Sequence, residues 1–184
     1  LETVQAMQRR QNWMRDYLIE QGCEKLPFAG ASTLSDKPKE VACDIRNVLS
    51  RTSGWAEKHR TWEDALRSLR DAVDEAGIMI VTNGVVGNST NRKLDTEEFR
   101  GFVLVDDYAP LIFVNGTDAK GAQMFTIAHE LAHLWMGKTG VFNLKALQPS
   151  DNEVEKFCNK VAAEFLVPAR ELRKLWTDAR RASE

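Results

Sequence analysis

The chain has 184 residues, of which 43% are hydrophobic and 28% charged; that balance excludes wholesale disorder and collagen-like order. Lys and Arg total 25 against 27 Asp and Glu, a formal net charge of -2, which argues against a chain whose main task is gripping nucleic acid. No apolar run approaches the roughly 20 residues needed to span a bilayer, and no secretory signal opens the sequence.

Residues 1 to about 22 read as a helix carrying Val4, Met7, Trp13, Met14, Leu18 and Ile19, with Gly22 as its C-cap. Pro27, Gly30, Ser32, Ser35 and Pro38 follow in a stretch that reads as linker. This divides the chain into an N-terminal helix and linker (1–38) and a main domain (39–184). A short helix is expected over 39–49, with Val41, Ile45, Val48 and Leu49 on one side. Thr61 then stands as an N-cap three residues before Asp64, ahead of a helix running to about 76. Its apolar stripe is Trp62, Leu66, Leu69 and Val73, and Gly77 closes it.

The period then changes. Three short apolar runs, at 78–81, 102–105 and 111–114, are bounded by Asn, Gly, Asp and Pro. The last two are joined by residues 106–110, about the length of a hairpin loop. Residues 83–100 read as a surface excursion. Helices are expected over 118–136 and 151–167, with Pro168 ending the second and a short basic helix finishing the chain. Helices flanking a small, mostly antiparallel sheet make the class α+β.

The helix at 118–136 contains His129-Glu130-Leu131-Ala132-His133, an H-E-x-x-H pattern that uses two of the three histidines in the chain. Residues four apart share a helix face, so His129 and His133 can offer imidazole nitrogens to one ion. Glu130, about 100° around the helix, reaches a water held by that ion and suits a general base. Zinc, one per chain, fits borderline nitrogen ligands with an open position; two imidazoles and a carboxylate also accept iron or manganese. A third ligand is required, and the continuation to a third histidine is missing, because Met136 and Thr139 stand in the places of its Gly and His. His59 lies in the polar segment Glu57-Lys58-His59-Arg60 and reads as solvated.

The third ligand is therefore sought on the next helix, where Glu153 and Glu155 compete. Ser150 and Glu153 have the spacing of a capping box, which would fold Glu153 back on the helix start. Glu155 has no such local role and is the preferred ligand, with Asn159 one turn on as its support. Tyr108, Arg100 and Asn159 are candidate oxyanion stabilisers, and 113–115 the candidate sheet edge for an extended substrate. Cys23, Cys43 and Cys158 form no C-x-x-C pair and read as reduced thiols, Cys158 packing its helix. The five tryptophans read as core or interface anchors.

The two motifs in order, His129-Glu130-Leu131-Ala132-His133 and then Glu155 through Asn159 and Ala162-Ala163 to Pro168, resemble the ImmA/IrrE family of zinc metallopeptidases over about residues 61 to 170. The resemblance implies a zincin-like fold, with His129, His133 and Glu155 as metal ligands and Glu130 as the general base. It further implies proteolysis of a helix-turn-helix DNA-binding repressor under stress or mobile-element control; a cytoplasmic location is expected from the absent secretory signal and the unpaired cysteines. Nucleic acid would be contacted only through an upstream helix-turn-helix module, an expectation suggested by the opening Leu1-Glu2 in place of Met. The alternatives from the residues alone are a zinc amidase acting on another substrate and a non-catalytic sensing module of a transcription regulator. Residues 1–60 carry no part of the resemblance.

Overall fold

The computed structural model describes residues 2–85, 94–96, 99–138, 140–142 and 152–182. The first helix, α1 (Glu2–Glu20), ends at Gly22, whose φ of 71° takes the chain out of the helix. Next come α2 (Pro38–Val48), a 3-10 turn at Trp55–Lys58 and α3 (Trp62–Glu75). The Thr61 hydroxyl accepts the Asp64 amide at 3.1 Å, as an N-cap should. Leu66, Leu69 and Val73 are buried as the stripe requires. Trp62 departs from it, with 66% of its surface exposed, because the first residue of α3 projects past the packed turns.

Four strands follow the change of period: β1 (Met79–Asn83), β2 (Gly101–Leu104), β3 (Leu111–Asn115) and β4 (Gly140–Phe142). The β2–β3 hairpin is antiparallel, with Leu104 opposite Leu111. Its loop is a turn in which the Asp106 carboxylate accepts the amides of Tyr108 and Ala109 at 2.9 and 3.0 Å. The sheet order is β1-β3-β2-β4, and β1 runs parallel to β3. Two of the three pairings are thus antiparallel and the sheet is mixed. Residues 113–115 belong to β3, which is paired on both sides. The expected docking edge is therefore internal; among the described residues β1 and β4 are the edges.

Side chains alternate across the sheet. Val103, Ile112 and Val114 face the main core, built with α2, α3, α4 (Lys120–Trp135) and α5 (Glu153–Leu166). Phe102, Leu104, Leu111 and Phe113 face the other way, and Met7 of α1 packs on them. Phe102 and Phe113 stack with centroids 5.1 Å apart, and the Gln11 side-chain amide donates to the Leu104 carbonyl at 2.7 Å. Residues 21–37 are bound to the end of α4: Phe28 stacks on Trp135 at 4.6 Å, and the Gly30 and Ser32 amides donate to the Leu134 and Trp135 carbonyls at 3.0 and 2.8 Å.

A last helix, α6 (Ala169–Ala182), carries the basic end of the chain. Among the described residues no helix is long and apolar enough to cross a membrane. Of the expected surface excursion, residues 86–93, 97 and 98 lie outside the described residues, while Leu94 is buried against Phe102 and Phe113.

Candidate metal centre

Helix α4 is buried on nearly all sides from Gln123 to Trp135, which is why its sequence shows no polar stripe. Ile127, Leu131 and Leu134 lock it among its neighbours, fully enclosed. Its start is fixed by Asp118, whose carbonyl accepts the Gln123 side-chain amide at 2.7 Å and whose carboxylate pairs with Arg100 at 3.1 Å. Its end is fixed by Gly137, at φ 63°, and by the Lys138 amide donating to the His133 carbonyl at 3.0 Å.

Glycine at 101 sets how closely α4 lies on the sheet. A Cβ there would come within 2.5 Å of the Thr126 Cγ2 atom and 2.6 Å of the Phe113 carbonyl oxygen. Only a residue without a side chain lets β2 and α4 approach this far.

His129 and His133 project from one face of α4 and α5 brings Glu155 to them. The two Nε2 atoms are 3.0 Å apart, and the Glu155 oxygens lie 3.2 Å from His129 Nε2 and 3.2 Å from His133 Nε2. Four ligands around a tetrahedral zinc at 2.0–2.2 Å stand about 3.4 Å from one another. A triangle with sides of 3.0 to 3.2 Å is close to one face of that tetrahedron, and two nitrogens with one carboxylate suit such an ion. His129, His133 and Glu155 together form a group able to hold a metal.

The electrostatics agree with that capacity. Burial lowers the pKa of His129, against the raising effect of Glu155, and so favours the neutral imidazole that a ligand must be. Hydrogen bonds from His129 and His133 hold the Glu155 carboxyl down to about 2. The Asn159 side chain also acts on His129, in the supporting position that its place one turn beyond Glu155 suggests.

Glu130 is fully buried beside this group, facing β2. Burial, with the charge of Glu155 adding to it, pushes its pKa well above the ordinary carboxyl value, and the Val103 backbone offsets this only in part.

The other sequence candidates lie elsewhere. Asn152 caps α5, its side chain accepting the Val154 amide at 3.0 Å, so Glu153 is the first helical residue and is exposed. Glu153 therefore stands at the first helical position and not at the third, as the expected capping box would have it; Ser150, the other half of that box, lies outside the described residues. Arg100 is committed to Asp118, Tyr108 sits in the β2–β3 loop near Lys25, and His59 meets the edge of Trp55.

Two further contributors were not singled out by the sequence reading. Arg46, buried on α2, donates from Nη1 to the carbonyls of Glu164 and Phe165 at 2.7 and 3.3 Å, closing the end of α5. Asp44 accepts the Trp135 indole N–H at 2.7 Å. A polar residue on an otherwise apolar helix flank, as Arg46 is, was the visible clue to the first.

The family described as Peptidase_M78, IrrE N-terminal-like domain, matches residues 73–184, from the last turn of α3 onward. No curated protein and no solved structure matches the chain.

Proposed function

The chain belongs to the Peptidase_M78 family, and on that premise we propose that it is a zinc-dependent endopeptidase. The observation that carries the reading is the convergence of His129, His133 and Glu155 within 4.8 Å of one another, with the buried carboxyl of Glu130 next to them. His129 and His133 would hold the ion through Nε2 and Glu155 through its carboxylate. When bound there, zinc supplies a Lewis acid for the scissile carbonyl and a water of lowered pKa.

Glu130 moves the proton. One of its oxygens takes it from the attacking water as the carbon–oxygen bond forms, then gives it to the amide nitrogen as the carbon–nitrogen bond breaks. Its raised pKa supports this role, since a base working near neutrality must hold a proton well enough to pass it on. Asn159 positions His129, and burial among the apolar walls of α4 shields the Glu130 carboxyl from bulk water, while Glu155 stays partly open to it.

The proposed substrate is a protein, a helix-turn-helix DNA-binding repressor cleaved in the cytoplasm as part of transcription control. This rests on the resemblance of the two-helix motif; the free cysteines at 23, 43 and 158 are in keeping with a reducing compartment.

The test is metal content per chain by elemental analysis after zinc reconstitution, followed by cleavage of a repressor from the same organism. One zinc per chain is expected, lost in His129→Ala, weakened in Glu155→Gln and unchanged in Glu153→Gln. Glu130→Gln should keep the metal and abolish cleavage. A parent chain that takes up no zinc, or a Glu130→Gln chain that still cleaves, would overturn the assignment.

A further inference from the structure

Gly121, Phe125, His129 and His133 follow one another at intervals of four along α4 and so share one face. The Phe125 ring lies 6.3 Å from the His129 ring, centroid to centroid. Beyond Phe125 this face runs into a cavity of about 600 Å³, whose apolar side is formed by Trp62, Met124, Phe125, Leu166, Val167 and Leu172 and whose rim carries Glu57, His59, Arg60 and Glu171. Helices α4 and α5 run in opposite directions: Glu155 meets the histidines near one end of the pair, and Leu166 faces Gly121 and Phe125 across the cavity at the other. His129, His133 and Glu155 do not themselves line the cavity; Phe125, which does, joins it to the metal centre along the same pair of helices.

Its mouth is unusual for a surface that meets only water. Trp62 is 66% exposed, and Val167 and Leu172 are each 53% exposed. Three large apolar side chains from three elements converge there on a hollow whose floor is Met124 and Phe125. Such a patch beside a reactive centre is the signature of a recognition site for an apolar group.

We infer that this cavity is the specificity pocket of the enzyme, taking a bulky apolar side chain (Leu, Met or Phe) of an extended peptide whose scissile bond lies at His129, His133 and Glu155. The inference rests on the peptidase reading and adds to it the class of substrate residue. The register follows from the helix rise. Phe125 and Gly121 precede His129 by four and eight residues, about 6 and 12 Å along the axis at ~1.5 Å per residue. An extended peptide advances ~3.3 Å per residue, so the anchored side chain belongs to a residue about two to four positions from the cleaved bond.

Gly121 allows a clean test. It borders the cavity, and a Cβ added there meets nothing within 4 Å. Gly121→Leu therefore fills the hollow without strain and improves the helix propensity of α4. The probes are two blocked peptides, acetyl-Ala-Ala-Phe-Ala-Ala-amide and its all-Ala counterpart, titrated calorimetrically into the zinc-loaded Glu130→Gln chain, which binds without cleaving. The Phe peptide should bind about tenfold or more tightly than the Ala peptide, the return expected from burying one aromatic side chain. Gly121→Leu and Trp62→Ala, each added to Glu130→Gln, should bring the ratio to within about twofold, with zinc content and unfolding temperature kept.

Equal binding of the two peptides, or a Phe preference that survives both substitutions, would overturn the pocket assignment. So would a preference lost only because Trp62→Ala dissociates a dimer in sedimentation, since the patch would then belong to a second copy of the chain. Failure of the peptidase reading looks different: zinc would be absent from the parent, while the Phe preference of the metal-free chain could still be measured.

Discussion

Replacing Gly101 by Ala adds one methyl group at the point where β2 presses on α4. The new carbon would stand 2.5 Å from Thr126 Cγ2 and 2.6 Å from the Phe113 carbonyl oxygen, each about 1 Å inside a normal contact distance of ~3.5 Å. Phe113 cannot yield, because β3 is paired on both sides, so the strain falls on α4. Thr126 lies one turn before His129 and Glu130, and moving it shifts both relative to Glu155 on α5. Overpacking of this kind costs about 2–3 kcal/mol, which for a chain of this length lowers the unfolding temperature by roughly 4–12 °C. Thermal and urea unfolding of the metal-free chain would measure the stability loss, and zinc competition against a chromogenic chelator the effect on the site. Adding Thr126→Ser removes one of the two clashes and should recover part of the loss. A Gly101→Ala chain within about 0.5 kcal/mol of the parent, binding zinc as tightly, would refute the reasoning.

Three further outcomes are expected. Arg46→Ala should cost about 1.5–3 kcal/mol, because it strips a charged donor from the Glu164 and Phe165 carbonyls, and urea unfolding checks it. Thr61→Ala should cost about 1 kcal/mol through loss of the α3 cap, measured in the same way. Cys23 and Cys43 are exposed, whereas Cys158 is buried and its thiol is pushed up by burial and by the nearby Glu155 and Glu130. A thiol reagent at neutral pH should therefore label two cysteines quickly and the third only on unfolding; rapid labelling of Cys158 in the folded chain would contradict its placement.

The features visible in the sequence were those in which the signal is local. The H-E-x-x-H face, the Thr61 cap, the Gly77 stop and the turn from Asp106 to Pro110 each depend on residues within a few positions of one another. Strand order depends on partners far apart, and the apolar run at 111–114 looks the same whether central or at an edge, so the sheet was misjudged there. Glu153 shows a second kind of failure. Its spacing from Ser150 satisfied a capping rule, but Asn152 stood closer to the helix start and took the role. Trp62 shows a third, since helical spacing assigns a face without saying how far the neighbouring elements extend to cover it.

The hydrogen bonds from Gly30 and Ser32 to the last carbonyls of α4 bear on the order of events in folding. The contact between Gly30 and Leu134 closes a loop of 104 residues (134 − 30), at an entropic cost of about 4 kcal/mol before any constant is added. The hairpin of β2 and β3 and the turns of α3 and α4 close over far shorter spans, at a smaller entropic cost. Glu155 likewise reaches His129 and His133 across only 26 and 22 residues (155 − 129 and 155 − 133), so the candidate ligand triangle closes at a smaller entropic cost than the contact that fastens the end of α4.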